Sequence, residues 1–416
     1  MQKLNQLVPT YKILARAITV IGAIFWVLAL TVNAKAGIIH RDTSVSASLR
    51  TQLASLGHLN YPRSVERFYQ QTQHKLAWIA PDTVITHAWD AMLLLDCALQ
   101  YGLSPLDYHY KEILYEQLNA MMAPREKISN QQKALYDVLL TDAMISMVNN
   151  LHFGKLNPVY TAQLLDEGNA GNCKAVEVLI GSLKQKDFIH AIEITQPASK
   201  AYRSLQGHLR LVVGLNANCY EVPPGDIKLM SINMERLRWI VGNDSVYISI
   251  NIPTYTLNFH QTDTAYQFKV IVGKPATPTP LVQSKITAID KSRSSIRFKL
   301  SDNAISMAGT SDKSSMMKKT RAFSEGDIQV TESPRLAALM LKNNLVNLTA
   351  INQAKHRGNN AGKLFTLKKP MPVRVTYLTC EVGLWSLIRY KDVYHLDELL
   401  EKAFYETPQI IARRSK

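Results

Sequence analysis

The spacing of apolar positions changes near the middle of this chain. In DTVITHAWDAMLLLDCALQYGL (82–103), Ile85, Ala88, Trp89, Met92 and Leu99 recur at helical spacing. Asp82 reads as its N-cap and Gly102 as its terminator. In KALYDVLLTDAMISMVNNLHFG (133–154), Leu135, Val138, Leu139, Ala143, Met147 and Leu151 fall on one face, and Gly154 closes the helix. Such stripes are core faces before they are anything else, and no catalytic constellation stands out among them. Residues 45–215 therefore read as an all-helical domain.

Around NANCYEVPPGD (216–226), Pro223-Pro224-Gly225 marks a turn or linker, and LMSINMERLRWI follows as a short helix. From Asp244 the period drops toward two. SVYISINIP, TLNFHQ, YQFKVIVG, ITAID, SIRFKL and AISMAG are short runs of β-branched and aromatic residues cut by Gly, Pro and polar turns. Ser333 to Leu345 reads as a helix, PVRVTYLTCEV with SLIRYKDVY as a final hairpin, and LDELLEKAF as a closing helix. The expected fold class is α+β, with a helical scaffold half at 45–215 and a β-rich domain at 227–405.

Composition agrees with a folded protein: 46% of the 416 residues are hydrophobic and 19% charged. The N-terminus changes the picture. Lys3, Lys12 and Arg16 precede the uncharged run Ala17 to Val32, and Ala34-Lys35-Ala36 follows as a small-x-small cleavage pattern. Residues 1–36 thus read as a signal peptide, or else as a membrane anchor that tethers the chain through 17–32. Either places the rest outside the cytoplasm. Removing the four basic residues of 1–36 from 48 leaves 44 against 33 acidic residues, a formal charge of +11. That excess suits an anionic polymer or surface. No motif supports nucleic-acid binding.

The four cysteines, Cys97, Cys173, Cys219 and Cys380, are compatible with up to two disulfides and carry no metal spacing. Cys97, inside an apolar helical pattern, reads as buried and free.

Several segments share an order with a known family. INMERLRWI, YISINIPTYTLNF, KVIVGKPATPTP, RAFSEGD, PVRVTYLTCEV and RYKDVYHLD resemble, in sequence order, segments of the large periplasmic L,D-transpeptidases. WIAPD (78–82), YGLSPLDYH (101–109) and LHFGKLNP (151–158) are similar to their helical scaffold domain. The resemblance spans about residues 65–405. It implies a periplasmic protein that needs no cofactor or metal and whose partners are peptidoglycan stem peptides or cell-wall synthesis proteins. In that family a cysteine thiolate attacks the acyl donor, and an amine of a second stem displaces the resulting thioester.

The family frame is a His-Gly-Thr strand end, then a loop closing in Arg-Ala-x-Ser-x-Gly-Cys-x-Arg-Val. Here Gly309 and Thr310 match the first part, and Lys313 and Ser314 fall in the intervening loop. Arg321, Ala322, Ser324, Gly326 and Val330 match the closing segment. The catalytic positions do not match: Ala308 stands for the histidine, Asp327 for the cysteine, and Gln329 for the arginine that meets a substrate carboxylate. Thiolate chemistry needs the thiol and a base beside it. A carboxylate nucleophile is weak toward amides, its acyl product is a reversible anhydride, and its charge opposes an oxyanion developing at the same loop. KITAIDKSRSSIRFKLSDNAISMAGT also runs straight through where large members insert a lid.

The expectation is a pseudoenzyme whose degenerate groove, Gly309, Thr310, Arg321, Ser324, Glu325, Gly326, Asp327 and Gln329, is the contact surface. Arg321 is expected to pin the loop, and Glu325 with Asp327 to favour the amine of a stem peptide. The alternative is an active transpeptidase with a displaced nucleophile, for which Cys380 is the only cysteine after residue 219.

Overall fold

A computed structural model describes residues 45–406 except 56, 80–85, 124–127, 169, 217–223, 241, 243, 263, 293–294, 344–362 and 385. The apolar run 17–32, Asp82, Ile85 and Cys219 lie outside the described residues. Among those described, no helix is long and apolar enough to cross a membrane. The fold is α+β, a helical region over 45–238 followed by a β-rich domain.

The helix Asn130–Phe153 is the axis of the helical region. It opens on a capping box between Ser129 and Gln132 and stops at Gly154, whose φ is +87°. Instead of one buried stripe, every residue from Tyr136 to Leu151 is buried. Other helices surround it, and its polar residues are consumed in holding loops. Asp137 accepts from the backbone N–H groups of Ala77 (2.9 Å) and Trp78 (2.9 Å), and Asp142 from those of Asn60 and Tyr61, both at 2.8 Å. Leu135, expected on the core face, is 37% exposed because it precedes the enclosed stretch.

The helix Thr86–Asp96 tightens into a 3₁₀ turn, Cys97–Tyr101, and ends at left-handed Gly102. A 3₁₀ turn advances each residue by about 120° rather than about 100°. That rotation moves Leu99 off the apolar face and leaves it 37% exposed. Trp89 is also partly exposed and stacks on Tyr115 at 5.5 Å. Cys97, expected buried, is half-buried and free, as is Cys173.

The helix Pro224–Arg238 joins the two halves. Its Met230, Met234 and Leu237 pack on Tyr202, Leu205 and Leu209 of the helix Lys200–Asn216. Its buried Glu235 accepts from the backbone N–H groups of Lys155 (3.1 Å) and Leu156 (2.6 Å) and from the Trp239 indole (3.0 Å). A Cβ on Gly154 would stand 2.6 Å from Glu235 Oε1, so glycine is required there twice over. The C-terminal helix Leu396–Glu406 returns to the helical region, where Phe404 enters the first core and its carbonyl accepts from Lys155 Nζ at 2.8 Å.

Eleven strands follow in the described residues: β1 (Val246–Asn251), β2 (Thr256–Gln261), β3 (Thr264–Gly273), β4 (Gln283–Lys291), β5 (Ile296–Leu300), β6 (Met307–Gly309), β7 (Ala322–Ser324), β8 (Ile328–Val330), β9 (Lys363–Thr376), β10 (Cys380–Val382) and β11 (Leu387–Arg389). The main sheet runs β2-β1-β9-β4-β5-β6-β8-β3-β7, and a further β2–β3 pairing closes it into a barrel. The long β3 makes this possible: Thr264–Lys269 pairs with β2, Val270–Ile271 with β8 and Val272–Gly273 with β7. Alternate residues such as Ile248, Ile250, Leu257, Phe259, Phe268 and Val270 fill the interior. The expected final hairpin is shorter than its sequence. Val373 to Thr376 belongs to β9 in the barrel, and only β10 and β11 pair as a hairpin.

Candidate functional site

The matched loop is built on the C-terminal end of β3. Gly273 begins a turn so tight that an added Cβ would sit 2.2 Å from Thr277 O and 2.7 Å from Thr279 N. The Thr279 hydroxyl accepts from Gly273 N (2.8 Å) and donates to Gly326 O (3.1 Å). Tyr394 donates to Gly273 O (2.7 Å) and accepts from Thr279 N (3.2 Å). Ser324 Oγ donates to Asp327 O at 2.6 Å, across the turn at Gly326, whose φ of +97° favours glycine. The loop 324–327 is thereby locked to the turn after β3.

Arg321 is a strut. It is 9% exposed, and its guanidinium donates to the carbonyls of Val270 (3.2 Å), Lys318 (3.0 Å) and Tyr255 (3.1 Å). It also lies 5.2 Å from the centroid of the Tyr255 ring. Burial lowers its pKa from the ordinary value. Gly309 is equally structural, since a Cβ there would meet Ser333 Oγ at 2.0 Å, at the start of the helix Ser333–Asn343. Thr310 N donates to Val330 O at 3.1 Å.

The three positions that depart from the family frame lie together. β6 runs parallel to β8 with Ala308 in register with Gln329, and the Gln329 amide donates to Asp327 Oδ2 at 3.2 Å. Glu325 is placed differently from expectation. Lys274 pairs with its carboxylate, Thr277 donates to it at 3.0 Å, and both contacts hold its pKa below the ordinary value, Lys274 first. The loop therefore presents one carboxylate, Asp327, beside an ion pair. Lys313 and Ser314, expected in a loop, fall in a one-turn helix, Lys313–Met316, capped by Asp312.

Cys380 is elsewhere. On β10 it is 1% exposed and packs against Leu209, Met230 and Met234. Burial, then Asp397, pushes its thiol up to about 12. No group of three or more metal-ligating side chains occurs among the described residues. Sequence reasoning missed Lys274, Thr279 and Tyr394. Each reaches the loop from another turn, and nothing in its own neighbourhood marks it.

A family model for a scaffold domain matches residues 63–209, within the helical region. No curated protein matches the chain. Among solved structures the chain is similar to the Ldtfm-avibactam carbamoyl enzyme, with 10% identity, a TM-score of 0.19, and coverage of 32% of this chain and 49% of that one. It is similar to an L,D-transpeptidase from Mycobacterium smegmatis, with 13% identity, a TM-score of 0.21, and coverage of 32% and 58%. A third is an L,D-transpeptidase from Stackebrandtia nassauensis, with 12% identity, a TM-score of 0.22, and coverage of 64% and 90%. The chain thus spans about half the length of the first two, and likeness at such scores is too slight to carry an argument about function.

Proposed function

We propose that this protein is a non-catalytic relative of the peptidoglycan L,D-transpeptidases, an exported cell-envelope protein that binds stem peptides at the loop 324–329. The observation that carries the reading is the pairing of the substituted positions. The residues matched to the frame, Gly309, Arg321, Ser324 and Gly326, hold the loop together with Gly273, while the reactive positions hold Ala308, Asp327 and Gln329. Gln329 is bonded to Asp327 itself. A loop this well fixed retains a binding geometry although its chemistry has been exchanged. The scaffold-domain match and the ordered sequence resemblance support the ancestry.

Asp327 is the recognition group in this reading. A half-buried carboxylate, bonded on one oxygen, suits the ammonium of a stem peptide. Glu325 contributes less, because Lys274 neutralises it. Against a displaced nucleophile at Cys380 stand its burial and raised pKa, which deny it both access and thiolate.

Calorimetric titration with a stem tetrapeptide carrying a free side-chain amine tests the reading. Asp327→Asn should weaken binding about tenfold or more, the scale of one charge-assisted contact. Unchanged affinity in Glu325→Gln/Asp327→Asn would sink it.

A further inference from the structure

A cleft of about 2020 Å³ separates the helical region from the outer face of β1, β2, β3 and β9. None of the loop residues Gly309, Thr310, Arg321, Ser324, Glu325, Gly326, Asp327 or Gln329 lines it. Its barrel wall follows from strand alternation. Ile248, Ile250, Leu257 and Phe259 point into the core, so Ser249, Asn251, Thr256 and Asn258 point out. These four residues are neutral and polar. Asn258 lies directly opposite Gln267 in the β2–β3 register, and among the described residues neither side-chain amide has a hydrogen-bond partner. Beside them, Ser249 Oγ is 2.8 Å from His260 Nε2. The His260 ring stacks on Tyr247 (centroids 4.2 Å, planes 13° apart), and Arg374 lies 4.4 Å over Tyr247. Burial, then the Arg374 charge, lowers the His260 pKa, so the imidazole stays uncharged at neutral pH.

We propose that this cleft is a second binding site and that its ligand is an acidic polysaccharide strand. In the middle of the wall, β2 is paired on both sides by β1 and β3, and Ile248–Asn251 of β1 by β2 and β9, so an added peptide strand finds no edge there. Recognition must come from side chains, and hydroxyls and amides that both donate and accept match the hydroxyl and acetamido groups of sugars. The cleft exceeds the roughly 300–1,000 Å³ of a small-molecule pocket, so it accommodates several sugar units. Lys174, Lys200, Lys319 and Lys391 line it against Glu177 and Glu381, which calls for carboxylates on the strand. An acidic peptide fits the charge but not the wall, which offers paired amides where side-chain pockets would be needed.

The test is fluorescence anisotropy of the full chain with labelled octasaccharides of alternating glucuronate and N-acetylglucosamine. Their carboxyl-reduced counterparts and an octaglutamate peptide serve as comparisons. The octasaccharide should bind, carboxyl reduction should weaken it at least tenfold, and octaglutamate should bind more weakly. Asn258→Ala/Gln267→Ala should weaken octasaccharide binding at least tenfold, as should Gln267→Glu at an exposed position, with unfolding midpoints unchanged. These variants should leave stem-peptide binding intact, and Asp327→Asn should leave octasaccharide binding intact, so each site stands or falls alone. No octasaccharide binding, binding indifferent to these substitutions, or preference for octaglutamate would overturn the proposal.

Discussion

Replacing Arg321 separates a structural role from a ligand-binding one. In Arg321→Met the side chain keeps its bulk and loses its donors. Three carbonyls lose a partner, but not equally. Tyr255 O still accepts from Val270 N at 3.0 Å, and Lys318 is exposed, so water can replace the guanidinium there. Val270 O, on a buried strand residue, loses its bond with least compensation. A charge-assisted bond inside a protein is worth roughly 1.5–3 kcal/mol, and the two partly replaced bonds add about 1 kcal/mol together. The contact with the Tyr255 ring adds about 0.5–1 kcal/mol, offset by relief of the buried charge. The expected loss is about 3 kcal/mol, or roughly a 150-fold shift in the unfolding equilibrium. Arg321→Lys keeps one donor group and should recover about half of that. Denaturant unfolding followed by circular dichroism measures both, and stem-peptide titration of the still-folded variant should give an affinity within about twofold of the parent. A variant as stable as the parent that no longer binds stem peptide would refute the argument, because Arg321 would then face the ligand.

Three further outcomes follow from buried groups. With its thiol pushed up to about 12, Cys380 should carry about 10³-fold less thiolate than an ordinary cysteine and react with Ellman's reagent only after denaturation; fast reaction in the native protein would contradict its placement. A His260 pKa below the ordinary value means that its stabilising contribution, present above about pH 6.5, is lost as pH falls through the folded-state pKa; an NMR titration should place its midpoint below about 6.5, and a midpoint at or above that counts against the stacked, buried ring. Glu235→Ala strips partners from two backbone N–H groups and leaves Arg238, buried alongside it, short of a counter-charge; the expected cost is about 3–5 kcal/mol in unfolding experiments, and a loss under about 1 kcal/mol would refute this role.

The sequence carried the local signals well. Gly102 and Gly154 marked helix ends because each terminus has a positive φ there. Alternation from Val246 onward marked strands because one face of each is buried in the barrel. The failures are non-local. Leu99 left its face because the helix tightened after Asp96. Within the helix Asn130–Phe153, the stretch Tyr136–Leu151 is enclosed on all sides because of neighbours that its own pattern cannot announce. At the loop, the frame residues were legible through the family resemblance, while the pairing of Glu325 with Lys274 spans 51 residues and appears only on folding. Asn258 and Gln267 raise no motif at all. Only the closure of β2 on β3 sets them side by side.

The central proposal is that this chain keeps a transpeptidase-like loop without transpeptidase chemistry. Carbapenems acylate the catalytic cysteine of active enzymes of the kind this sequence resembles, so intact-mass spectrometry after carbapenem incubation tests the claim most directly. The account predicts an unchanged mass from protein shown to be folded. A stable adduct, abolished by Cys380→Ser, would contradict it and restore a working nucleophile to the protein.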